Sequence, residues 1–166
     1  MTNRYSLADY IVTIKVPEDT RIDEAIRGKS FTIGGPGVAP EGKGSFLGQI
    51  SVERNVNAWD TEGDRTGSWV HNKNNDKTGH CQIDIRQVSD DVIRLSQMSS
   101  VYEKIQEHVP GVTITITNSY ENNSAGSNIA ATCNDCYIEK QPQLILGETA
   151  QAQQWIFTCG QVFFYE

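Results

Sequence analysis

Cys133-Asn134-Asp135-Cys136 is the stretch whose residue types and spacing come nearest to chemistry, since two thiols around a turn-prone Asn-Asp pair make half of a zinc knuckle. Cys81 and His80 are the donors that could complete it. Against this, no second paired motif exists, and on a regular strand residues three apart, like adjacent ones, point to opposite sides. The pair is therefore not expected to share a metal. Nor does it open a helix after a strand, where a thioredoxin-like dithiol would stand. Gly37 to Lys43 fits Gly-x-x-x-x-Gly-Lys, but Gly44 occupies the place of a magnesium-binding hydroxyl. The residues from Phe46 alternate like a strand and do not begin the helix that holds phosphate in such loops. His71, His80 and His108 form no recognisable catalytic arrangement with Ser, Cys or acid neighbours. Asp90 and Asp91 suit a helix start, and Asp60, Glu62 and Asp64 suit a turn that lacks the closing Glu of a calcium loop. The chain reads as a non-enzyme, with no catalytic residue, metal or cofactor.

The elements that carry these residues are announced by alternation. Tyr10, Val12, Ile14 and Val16 share a face in a first strand, with Ile11, Thr13 and Lys15 opposite, and Lys29 to Ile33 is a second strand ended by Gly34-Gly35-Pro36. A long strand from Phe46 to about Trp59, a turn at Asp60 to Asp64, a strand over Arg65 to Asn72, a turn at Asn74 to Asp76 and a strand over Thr78 to Gln87 predict a three-strand meander. The period then changes to three or four: Val92, Leu95, Met98, Tyr102 and Ile105 predict one helix, capped by Ser89 and ended by Pro110 and Gly111. Strict alternation returns in Val112 to Asn118, followed by strands over Ile129 to Glu139 and Gln153 to Phe164. In the last, regular alternation sets Trp155, Phe157 and Phe163 against Ile156, Val162 and Phe164. Such a strand is either central with two covered faces or partly covered by another chain.

A length of 166 residues is that of one domain with its own core. Fourteen basic against 21 acidic side chains leave a net charge of −7, which argues against a protein that grips phosphates. Ser, Thr, Asn and Gln number 47 against 35 charged residues, so neutral hydrogen-bonding groups dominate the surface. No stretch approaches the roughly 18 apolar residues of a membrane span, and Asp9 interrupts the region where a signal peptide would be apolar. A soluble, cytoplasmically made chain with reduced thiols is expected.

Particular strings add to this pattern. Tyr5-Ser6-Leu7 before the first strand, Ser30 to Gly35 with Gly37-Val38-Ala39-Pro40-Glu41-Gly42, and Thr78-Gly79-His80-Cys81-Gln82-Ile83 are three of them. Asp135 to Pro142, Gly147-Glu148-Thr149-Ala150 and Trp155 to Gly160 are the most specific. Together, over about Tyr5 to Phe164, the chain resembles the tail tube proteins of contractile-tailed bacteriophages. The segment Pro17 to Gly28 departs from that pattern as an insertion in the single domain, and Cys133 is a thiol the pattern does not require.

The resemblance implies a mainly β, antiparallel sandwich or barrel-like fold with one flanking α-helix. It implies homo-hexameric rings stacked into a hollow conduit for genome passage, inside a sheath, with baseplate and tail terminator proteins as further partners. DNA would pass without specific binding and without any membrane anchor, in a virion tail assembled in the host cytoplasm. A bore for DNA must be hydrated and must not be basic, because multiple Lys and Arg contacts trap phosphates. The polar strand faces are the candidates for it: Gln49, Ser51, Glu53, Gln82, Asp84, Thr113, Thr115 and Thr117, with Arg86 an awkward member. Asp60, Glu62, Asp64 and Arg65, with the loop Gly34 to Ser45, are candidates for contacts between rings, and Trp155, Phe157 and Phe163 for contacts between subunits. The competing expectation is a β-sandwich binding or baseplate module that recognises a glycan or receptor, with Trp59 and Trp69 as platforms.

Overall fold

A computed structural model describes residues 10–34, 46–86, 90–106, 108–118, 129–149 and 151–165. Among them, nine strands and one helix follow in the order β1 (Tyr10–Lys15), β2 (Ser30–Gly34), β3 (Phe46–Arg54), β4 (Trp59–Gly63), β5 (Trp69–Lys73), β6 (Gly79–Arg86), α1 (Asp90–Lys104), β7 (Val112–Asn118), β8 (Ile129–Ile138) and β9 (Ala152–Phe164). The mainly antiparallel β class with a single helix is as expected, and strands make up 51%. The sheet does not close into a barrel. Seven strands form one sheet in the order β2-β1-β7-β8-β9-β6-β3, so the two edges, β2 and β3, are consecutive in the chain.

One face of this sheet is the core. Val12 and Ile14 of β1, Ile33 of β2, Val112, Ile114 and Ile116 of β7, Ile83 and Ile85 of β6, and Trp155 and Phe157 of β9 are all buried there. Helix α1 adds Val92, Leu95 and Met98 from one stripe, as its spacing requires. The segment expected to be an insertion, 17–28, belongs to the same core through Ile22, which is 1% exposed. It is clamped from both sides of that residue. Arg21 donates to the His108 carbonyl at 2.8 Å and pairs with Asp19 at 2.7 Å, while Arg27 donates to the carbonyls of Ile22 and Thr20. Hydrogen bonding from Arg21 holds the Asp19 carboxyl down at about 2.

The meander is the main departure from expectation. β3 pairs directly with β6, and β4 and β5 form a separate two-stranded sheet between them in sequence. The reason is in the side chains: every residue of β4 and β5 is exposed, so neither strand has an apolar face to lay on the core. The turn also shifts. Asp60 to Gly63 are strand, and the reversal is made by Asp64 to Ser68.

Candidate functional site: a polar sheet face and a free hairpin

The register places the alternating polar residues on a single surface. Thr32 of β2 stands opposite Thr13 of β1, Thr13 opposite Thr115 of β7, and Thr115 opposite Thr132 of β8, making a row of four threonines across four strands. Thr113 and Thr117 flank that row beside Lys15 and Ile11. Farther across, Ser51 stands opposite Gln82 and Gln82 opposite Ile156, while Glu53 and His80 lead to Thr158. Asp84 faces Gln154. Gln49 is exposed just before the regular β3–β6 pairing begins at Ile50. Thus Gln49, Ser51, Glu53, Gln82, Asp84, Thr113, Thr115 and Thr117 lie on the side of the sheet opposite the core, all exposed or half-buried. Arg86 continues the same register opposite Ala152, and its side chain lies outside the described residues. Sequence reasoning missed Thr13, Thr32, Thr132, Thr158 and Gln154 as members of this surface. Alternation was the signal available for Thr13; only the register shows that the rows join.

A surface of Thr, Ser and Gln is neutral yet densely hydrated, and it offers no run of cations to phosphate. His80 is held by Asn55, its Nδ1 2.7 Å from Oδ1.

The terminal strand corrects the remaining expectation. Trp155 and Phe157 are 1% and 0% exposed in the chain's own core, so they are not at a subunit boundary. Phe163 does not share their face. β8 and β9 both change parity where Asp135 lies opposite Gly160: Cys133 pairs with buried Val162, Cys136 with buried Cys159, and Thr132 with Phe163. Asp135 takes the left-handed conformation (φ 55°), which shifts its strand by one position and turns the following side chains over. Its carboxylate accepts the Gly111 amide at 2.8 Å, and Gly111 must be glycine, because a Cβ would stand 2.6 Å from the Cys136 carbonyl oxygen. Past the kink, Phe163 is half-buried on the polar face under the Lys77 ammonium, 4.8 Å from its ring centroid.

The same kink overturns the parity argument about the thiols. Cys133 and Cys136 lie on one face, both buried, together with buried Cys81 and Cys159. The Cys159 thiol donates to the Phe157 carbonyl at 3.7 Å. Among the described residues, no group of three or more His, Cys, Asp and Glu side chains is arranged to hold a metal ion.

The hairpin β4–β5 carries the other candidates. Asp60, Glu62, Asp64 and Arg65 are all exposed along it and at its tip. Trp59, Trp69 and Val70 are 58%, 67% and 60% exposed, so the arm buries none of its large apolar side chains in its own chain. Its tip is built by Asp64, whose Oδ1 accepts the Thr66 amide and hydroxyl and the Ser68 amide at 2.7 to 3.0 Å, with Gly67 at φ +88° completing the reversal. These hydrogen bonds, that of the Thr66 hydroxyl first, lower the Asp64 carboxyl from its ordinary value. A carboxyl depressed in the folded state orders the tip above the unfolded carboxylate range, and that order is lost as pH falls through the lowered value. We expect Asp64→Ala to lower the exchange protection factors of the Thr66 and Ser68 amides at neutral pH, and acid to do the same to the parent once the slower intrinsic exchange at low pH is divided out. Unchanged protection at both amides would show that the carboxylate does not hold the tip. The loop Gly34 to Ser45 lies outside the described residues beyond Gly34.

No protein-family model matches the chain, and no curated protein matches it. Among solved structures, it is similar to a chain of the anti-feeding prophage cap (AFP tube terminating cap), at 14% identity over 98% of this chain and 91% of that one, TM-score 0.49. It is also similar to chains of an extracellular contractile injection system, in the PVC sheath-tube complex (12% identity, 96% and 90% covered, TM-score 0.49) and the PVC sheath/tube terminator (11%, 98% and 97%, TM-score 0.49), both in the extended state. Among the described residues, no helix is long and apolar enough to cross a membrane.

Proposed function

We propose that this chain is a structural subunit of a bacteriophage tail tube, polymerising as stacked hexameric rings into a hollow conduit with the polar sheet face toward the bore. The observation that carries the reading is the uncovered face itself: seven strands with one dry side and one side that is mostly threonine, serine and glutamine, with Lys15, Glu53 and Asp84 among them. A bore lined that way lets DNA slide without release of counterions to fixed cations. Among the described residues, edge strands β2 and β3 each have a strand partner on one side only, and pairing with neighbouring subunits would satisfy both open edges. An isolated two-stranded hairpin is marginal in water, so an arm exposing two tryptophans is best explained by a seat on the next ring. In this reading Asp60, Glu62, Asp64 and Arg65 meet the neighbouring ring, and Phe163 sits at the bore. The net charge of −7 suits attraction to basic segments of a sheath protein, with baseplate and terminator proteins at the ends, in a virion tail assembled in the host cytoplasm.

The competing glycan- or receptor-binding module would use Trp59 and Trp69 as a platform. They fall at opposite ends of the hairpin register, four residues apart along the strands, which is about 13 Å, too far to stack on one sugar ring. Negative-stain microscopy of the purified chain over a concentration series tests the reading. Rings or hollow rods are expected; a chain that stays monomeric at every concentration and binds a glycan lost on Trp69→Ala would replace it.

A further inference from the structure

Every cysteine of this chain belongs to the one buried cluster, and the function above uses none of them. Register decides which two can join. A disulfide needs Cα atoms within about 7 Å. Cys136 and Cys159 are direct partners on adjacent antiparallel strands, where Cα atoms stand about 4.5 to 5.5 Å apart. Cys133 is opposite Val162, three positions from Cys159, or about 10 Å along the strand. Cys133 and Cys136 belong to the same strand on either side of Asp135, so no register sets them opposite each other. Cys81 is opposite Phe157, two positions from Cys159, and β9 lies between it and β8. Access exists as well: Cys136 lines a cavity of about 230 Å³ with Met98, Tyr102, His108, Val109 and Tyr137.

We infer that Cys136 and Cys159 are a site of oxidative cross-linking, which a peroxide reaching Cys136 through this cavity converts to a disulfide joining β8 to β9. In the first step the Cys136 sulfur attacks the peroxide O–O bond. It takes one oxygen as a sulfenic acid, and the other oxygen leaves as water with the thiol proton. In the second step the Cys159 sulfur attacks that of Cys136, the S–O bond breaks, the S–S bond forms and a second water leaves. Two thiols are oxidised by two electrons, and one peroxide is reduced to two waters. Cys81 and Cys133 stay thiols. The use of such a staple rests on the tail-tube reading: a subunit made in a reducing cytoplasm and working outside the cell gains a covalent tie between its central strands only after release.

The purified chain, treated with dilute hydrogen peroxide without denaturant, alkylated after unfolding and digested, should give one cross-linked peptide pair, Cys136 with Cys159, and alkylated Cys81 and Cys133. The unfolding midpoint of the treated chain should rise by roughly 5–10 °C and fall back with reductant, as a closed loop of this size implies. Cys159→Ala should abolish both changes; Cys81→Ala, one of the two bystander thiols, should preserve both. Four alkylated cysteines, a different pairing, sulfinic acid without cross-link, or a stoichiometric zinc ion that blocks the oxidation would each overturn the inference. Mapping reads the pair whether or not the chain forms tubes, so its failure is separate from failure of the tail-tube reading.

Discussion

Trp155→Ala is expected to cost about 3–5 kcal/mol of folding stability, and Phe157→Ala a similar amount, measured by urea unfolding. Both side chains fill the centre of the core face between β6 and β8, at 1% and 0% exposure, where neighbouring strands cannot collapse into the space left behind. Phe163→Ser is the matched comparison, because that ring lies past the kink on the polar face and its removal leaves no closed cavity. Its cost should stay below about 1 kcal/mol. Equal losses for Phe163 and Trp155 would mean that both faces of β9 are dry within one chain, contrary to the register described above.

The triple variant Thr13→Lys, Thr115→Lys, Gln82→Lys should turn the bore of assembled tubes from slippery to adhesive. All three positions lie on the open face, and none is fully buried, so folding is expected to survive. Three phosphate contacts from a single subunit already give a salt slope near 2.7, so the variant tubes, which present them from every subunit, should hold duplex DNA more weakly at 200 mM than at 50 mM salt by a factor of about 40 or more. Co-sedimentation of labelled duplex with the tubes measures this, and parent tubes should retain none at either concentration. Steeply salt-dependent retention by the parent would mean that cations line the channel, and the conduit reading would fail.

Much of this was legible in the residues because a half-buried strand alternates and a packed helix repeats every three or four positions. β7 matches its sequence bounds, Val112 to Asn118, since Val-Thr-Ile-Thr-Ile-Thr has one consistent reading. The helix appears where Val92, Leu95 and Met98 require it. The meander misled because turn signals mark where a chain reverses and not what the strands pair with: Trp-Asp-Thr-Glu-Gly and Trp-Val-His-Asn-Lys lack the alternation of the core strands and have no continuous apolar side to dock. The terminal strand misled for another reason. Parity was counted through Gly160 as if the strand were regular, and the left-handed Asp135 on the facing strand breaks that count for both.

The sequence by itself determined the class of the molecule: antiparallel strands and one helix, a neutral polar surface, an acidic balance, and no recognisable catalytic constellation. Periodicity and composition are local properties, set by which side chains tolerate water. Only the tertiary structure decided that the threonines of four strands form one row, that the hairpin stands free, and that four cysteines from three strands share one buried site. Those outcomes depend on strand order, register and one backbone kink, which follow from packing energies summed across the whole sheet and leave no signature at any single position.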